Sequence, residues 1–188
     1  MLIQHIKYLL RRVSARFISQ RPLAYAAYRH FTKKEAVLYV SLVNISAGSD
    51  LTGQLTDGFA QDAHLTKKQQ VNLLTGLIIN ETANADEQYV YASELKLLAA
   101  VSAQQLDVIL MDTAARDQLQ DEEYFLDLRT LDADFSSLDE LSADGLTLDI
   151  SDTPLIAQAG FEEPVYLGVI ANAPHPERAA AYIRYLLK

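Results

Sequence analysis

The chain has no cysteine and no tryptophan, and only 7 glycines and 5 prolines among its 188 residues. Without cysteine there is no disulfide, no thiol nucleophile, no thiolate metal site and no lipid anchor on cysteine. The redox compartment stays open, because an exported protein can do without disulfides. Long apolar runs are missing as well. The longest stretch free of Asp, Glu, Lys and Arg is Ala36 to Ser49, fourteen residues, short of the roughly 20 that a spanning helix needs. Arg11, Arg12 and Arg16 interrupt the apolar core that a cleavable signal peptide would require. Acids are absent from residues 1 to 34, which hold eight of the 16 basic residues. From Glu35 onward 8 basic residues stand against 25 acidic ones, within a total charge of −9. Such a body repels nucleic acid, while its basic head is drawn to phosphates or anionic lipid.

What is present divides the chain in two: residues 1–34, a basic amphipathic segment and connector, and residues 35–188, an α/β body. A unit of about 150 residues buries roughly 70% of its unfolded surface, enough for a core without staples. In the head, Ile3, Ile6, Leu10, Val13 and Phe17 recur at helical spacing with arginines between them, which predicts an amphipathic helix over residues 2–19. Arg21-Pro22 ends it, and residues 23–34 form a connector.

In the body, "AVLYVSLVNI" reads as a strand covered on both faces. "DLTGQLTDGFAQD" follows as a helix with Asp50 as candidate cap, "QVNLLTGLII" as a second strand, "NETANADEQ" as a polar loop and "YVYASELKLLAAVSAQQ" as a helix rich in Ala and Leu. "DVILM" is strand three, "TAARDQLQ" a short helix, "LTLDI" a short strand and "PVYLGVIAN" the last strand; Pro176 opens a terminal helix. Between Asp112 and Asp152, thirteen acids sit among two arginines, and Ser137 with Glu140 fits a capping box for a small helix. The alternation predicts an α/β sheet with helices on both faces, a single three-layer αβα lobe. Ligands bind such sheets at the strand C-terminal edge, here Asn44 to Asp50, Asn80 with Glu81, and Asp112 with Thr113.

Asp112, closing "QLDVILMD", is either a phosphoacceptor or the N-cap of the helix that Thr113 opens. A receiver domain needs further acids near the end of strand one to hold Mg²⁺, and a Lys after the last strand to neutralise the phosphoryl group. Strand one ends "LVNISAG" and the last strand "VIANAPHP", with neither group; capping is the reading that fits. "SAGSD" at 46–50 lacks the GxGxxG and GxxxxGK[ST] spacings. His5, His30, His64 and His175 are scattered, each suited to a surface or capping role. An EF-hand register on Asp132, Asp134 and Ser136 puts Ser137 where Gly is needed and Ala143 where Glu is needed. Tyr89 and Tyr91 either floor a shallow site or pack at a helix start. There is no GxSxG elbow. No catalytic pair, metal site or cofactor site emerges, and the expected ligand-facing residues are Ser46, Ser49, Tyr91 and Asp112.

"YASELKLLAAVSAQQLDVILMD", then "YFLDL", and later "PVYLGVIANAPHPERAAAYIRYLL" resemble the extracellular solute-binding proteins of the type II periplasmic-binding fold. More narrowly they resemble small membrane-anchored proteins of Gram-positive bacteria, of uncharacterised function, that carry a single lobe of that fold. The resemblance covers residues 36–188. It implies a non-enzymatic binding or interaction domain at the extracytoplasmic face of the cell envelope, ligand unknown. Full members close two lobes on a ligand. Here 52 residues separate strand three from the last strand, room for a short acidic insertion and no second lobe. Where the narrower group has a membrane-spanning helix, this chain has the arginine-rich segment, suited to an anionic membrane surface, to docking on the chain's own acidic body, or to self-association in a homo-oligomer. The alternative is a cytoplasmic receiver-like or other flavodoxin-like signalling domain using Asp112.

Overall fold

The computed structural model describes residues 34–80 and 86–188. The amphipathic helix expected over residues 2–19, the connector, His5, His30 and Glu81 lie outside the described residues. Nearly all the rest belongs to one compact unit, Ala36–Lys188.

Strand β1 (Glu35–Val43) is rich in β-branched and aromatic residues and is buried along most of its length. The chain then turns through Asn44 to Gly48 into helix α1. This helix runs as α-helix over Ser49–Gly53, π-helix over Gln54–Gly58 and α-helix again over Phe59–Asp62. Its N-cap is Gly48, so Asp50 sits inside the first turn and is not the cap expected from sequence. There its charge still complements the helix dipole. Strand β2 (Gln69–Leu77) leads to helix α2 (Glu87–Ser102), capped by the Asp86 carboxylate on Gln88 N.

Strand β3 (Val108–Met111) is fully buried and runs into helix α3 (Thr113–Asp121), with Asp112 as N-cap. Two 3₁₀ turns, Leu128–Thr130 and Ala133–Ser137, carry the acidic stretch. The small helix expected to start at Ser137 is absent. Ser137 Oγ instead donates back to the Asp134 carbonyl, and Leu138 is extended. Strand β4 (Thr147–Asp149), helix α4 (Pro154–Ala159), strand β5 (Tyr166–Val169) and helix α5 (Pro176–Leu186) complete the chain.

The five strands are ordered β2-β1-β3-β5-β4. β1 and β3 are parallel, with Val40 opposite Val108 and Val43 opposite Met111. Ser41 Oγ donates to Leu74 O and Asn44 N to Leu77 O, so β1 and β2 end side by side. The last strand reverses the pattern: β5 is antiparallel to both β3 and β4. The sheet is therefore mixed.

Strand periodicity sorts the core into two clusters. Leu38, Val40 and Leu42 of β1 face Leu51, Leu55 and Phe59 of α1 together with Tyr182 and Ile183 of α5. Val43, Ile109 and Met111 face the other way, onto Leu97 of α2 and Leu119 of α3. Helices thus cover both faces. Among the described residues no helix is long and apolar enough to cross a membrane.

One junction explains the π-helical turns of α1. Tyr182 and Tyr185 of α5 donate their hydroxyls to the carbonyls of Leu55 (3.1 Å) and Gln54 (2.9 Å), and the Phe59 ring meets the Tyr182 ring edge-on at 5.0 Å. A π-helical segment widens the turn and loosens its own ladder. Two phenol donors supply bonds there. Gly58 is what lets α5 come so close, because a Cβ at that position would collide with the Tyr185 hydroxyl.

Candidate functional site

The C-terminal edge of β2, β1 and β3 gathers polar side chains. Asn44, Asn80 and Asp112 follow these three strands within a few residues, and the strand order sets them together. Asn44 has φ of 59°, the left-handed region that Asn tolerates better than most residues. In this conformation its Oδ1 accepts from Ile79 N (2.9 Å) and its Nδ2 donates to Asn80 Oδ1 (2.5 Å) and Asp112 Oδ1 (3.1 Å). Asp112 Oδ1 also accepts from Ala115 N at 2.8 Å, the capping bond. Asn80 Nδ2 donates to Gln118 Oε1 (2.9 Å), and Gln118 Nε2 points at Glu94 Oε1 (3.5 Å). A chain of amides thus runs from Asp112 across the sheet edge to α2. Both protons of Asn44 Nδ2 are used, so this cluster is a self-satisfied network.

Where the network ends, a groove opens between α2 and α3. Its volume is about 240 Å³, with Tyr91, Leu95 and Leu98 of α2 on one wall and Leu119 and Tyr124 on the other. Glu94, Gln118 and Glu122 are the polar groups lining it. Tyr91, Leu95 and Leu98 are 63%, 47% and 48% exposed, and Tyr89, on the same helix, is 47% exposed. Tyr89 is occupied otherwise, its hydroxyl donating to Gly76 O (2.5 Å) across β2. Burial, and then the Glu122 carboxylate, raise the Tyr124 phenol above its ordinary value, so it stands in the groove as a neutral hydrogen-bonding group.

The opposite edge holds a second constellation. Asp107 precedes β3 and is completely buried. Its Oδ2 accepts from Tyr39 N (2.8 Å), its Oδ1 from His175 N (2.7 Å), and His175 Nδ1 lies 3.1 Å from Oδ2. The Tyr39 ring stacks on the imidazole at 5.8 Å. A donor role for Nδ1 leaves Nε2 as the ring acceptor. Among the described residues no hydroxyl hydrogen-bonds this ring, and the bonds the pair does make are structural. One carboxylate ties β1, the start of β3 and the first turn of α5 together. Sequence reading gives His175 a surface or capping role; it occupies the N-cap position of α5, but its side chain makes no capping bond and pairs with Asp107 instead. Asp107 was missed. An acid set directly before the unbroken apolar run "VILM" was the available signal.

The residues expected to face a ligand are not gathered at one point. Asp112 is in the amide network and Tyr91 on the groove wall. Ser46 and Ser49 are exposed on the loop whose Ile45 and Ala47 pack on the α1 side, the other face of the sheet from α2. Beside α1, a second depression of about 330 Å³ is lined by Asp50, Gln54 and Gln158 among others. Among the described residues no group of three or more His, Asp or Glu is placed to hold a metal ion. No protein-family model matches the chain, and neither a curated protein nor a solved structure was found similar to it.

Proposed function

We propose that residues 36–188 are a single solute-binding-protein-like lobe that serves as a non-enzymatic interaction domain at the extracytoplasmic face of the cell envelope. The basic residues 1–34, in this reading, rest on an anionic membrane surface. The observation that carries the binding part is the α2–α3 groove, where three large apolar side chains stand in solvent beside a hydrogen-bonded polar edge. Soluble surfaces keep contiguous apolar patches small unless a partner covers them. At about 240 Å³ the groove falls below the ~300–1,000 Å³ that encloses a drug-sized solute, which favours a partner that brings its own opposing wall.

The signalling alternative has less support. An all-parallel flavodoxin-like sheet is ordered 2-1-3-4-5, whereas here an antiparallel strand fills the fourth place. The position beside Asp112 that a Mg²⁺-binding acid would need is taken by the Asn44 amide. Two experiments test the proposal. Cell fractionation should find the protein with the envelope, accessible to protease added from outside; a protected, soluble pool would overturn the location. Acetyl phosphate with Mg²⁺ should leave the intact mass unchanged, and a one-phosphoryl gain abolished by Asp112→Asn would establish the receiver reading instead.

A further inference from the structure

Helix α2 carries more apolar surface than its own core uses. Val90, Ser93 and Leu97 are the buried positions, spaced i, i+3, i+7. Tyr91, Leu95 and Leu98 form a second stripe, spaced i, i+4, i+7 and rotated by one residue, about 100° around the axis. Such a stripe, two turns long, has the pitch of the anchor pattern by which one helix lies along another. At about 240 Å³ the groove has room for inserted side chains and falls short of what encloses a drug-sized solute.

The charged groups that line the groove have one sign. Glu94 and Glu122 line the groove and no basic residue does. Helix α3 ends beside it with no basic residue in its last turn, so the negative end of its dipole is uncompensated. Asp121, Glu122 and Glu123 crowd that same end and are all exposed. A second copy placing its own α2–α3 groove here would bring acids against acids. A cationic partner meets no such penalty.

Resting on the interaction-domain reading above, we infer that the α2–α3 groove docks a cationic amphipathic helix, with apolar anchors on Tyr91, Leu95 and Leu98 and basic flanks against Glu94, Glu122 and the carbonyl end of α3. The partner is thus a basic helical segment of a protein. A small solute and a second copy of this chain are the competing occupants.

The probe is a dye-labelled peptide of roughly four turns, with Leu at i, i+3, i+4 and i+7 and Lys elsewhere, titrated with the full-length chain by fluorescence anisotropy. The same composition without helical spacing, and a Leu/Glu version, are the controls. Saturable binding of the Leu/Lys helix alone is expected, weakened at least about tenfold by Leu95→Asp or Leu98→Asp. The pair Glu94→Gln with Glu122→Gln should weaken it comparably and flatten its salt dependence. Asp139→Asn with Glu162→Gln, acids remote in sequence from the groove and exposed, should change nothing, which separates docking from general attraction to an acidic body. The two Leu variants start from exposed side chains, and circular dichroism melts check that each remains folded. Equal binding of the unspaced peptide, or undiminished binding by folded Leu95→Asp and Leu98→Asp, overturns the inference. A dimer in sedimentation velocity that Leu95→Asp dissolves overturns it in favour of a second copy. Failure of the peptide with a protein that still fractionates with the envelope ends this inference alone. Peptide binding by a protein found in the cytoplasm supports it and ends the envelope reading alone.

Discussion

A carboxylate sealed from water is tolerated only where donors satisfy its oxygens. Asp107 meets that condition with two backbone N–H groups and an imidazole. Removing it should orphan all three at once. Asp107→Ala is expected to cost about 3 kcal/mol. Asp107→Asn should cost about 2 kcal/mol, since an amide NH₂ must then face one of the donors. His175→Ala keeps both backbone bonds and is expected to cost about 1 kcal/mol. Urea unfolding of the three variants checks this order; an imidazole deletion costing the most would show that the ring, and not the carboxylate, holds the junction. Asp112→Ala removes a cap from a nine-residue helix and one partner of Asn44, worth about 1 kcal/mol by the same measurement. The two acids sit five residues apart in one apolar run, yet only Asp112 could be assigned from sequence. A cap is a local arrangement that Thr113 and the following helix pattern announce. The partners of Asp107 come from Tyr39 and His175, each 68 residues away.

Among the elements, α1 and α5 depend on each other most visibly. Burial drives the Tyr182 phenol well above its ordinary value of 10.0. In the unfolded chain the phenol ionises near that value while the folded one stays neutral. Tyr182 therefore stabilises the fold fully below about pH 10, and that contribution is lost as pH rises beyond it, at no more than about 1.4 kcal/mol per pH unit for one proton. Tyr182→Phe should lose about 1 kcal/mol at neutral pH with the bond to Leu55, yet fall less steeply between pH 10 and higher values (about pH 11 being a convenient comparison). Denaturation midpoints of both proteins across that interval decide it; parallel curves would mean that Tyr182 does not govern the alkaline limit. Element types were largely legible. β1, β3 and α2 announce themselves by apolar run length and helix-forming composition. Helix α4 was overlooked although Pro154 opens it and Gly160, at φ of 70°, closes it. Six residues are too few for a periodic signal, and only the Pro–Gly punctuation marks them. Tyr91, Leu95 and Leu98 look the same in sequence whether they pack inward or stand in solvent, so the groove had to come from the structure.

At the scale of the whole molecule, the layering was predictable and the strand directions were not. Apolar residues at both i and i+1 along β1 and β3 demand cover on two faces, which is what α1, α5, α2 and α3 supply. Nothing local in "PVYLGVIAN" says that it will lie antiparallel between β3 and β4; partner and direction are properties of the sheet. The placing of Gly168 belongs to the same scale, because a Cβ there would come within 2.5 Å of the Phe125 ring that crosses β5. Gly168→Ala is expected to cost about 1–3 kcal/mol through displacement of that ring, read from thermal melts. The position of β5 also sets a timetable. A chain made from its N-terminus releases β1, β2 and β3 first, and β4 after them, while the strand that joins β4 to the others comes last but one among the elements. Until Tyr166–Val169 clear the ribosome, the hydrogen-bonding flank of β3 stays open, and it is fully apolar along its length. Nascent chains arrested ahead of residue 166 should therefore be held by chaperones and cleaved readily by protease, with resistance arriving in one step once β5 and α5 emerge. The stretch from Tyr166 onward acts as the keystone of the sheet, and a ribosome that stops short leaves an arch with no centre.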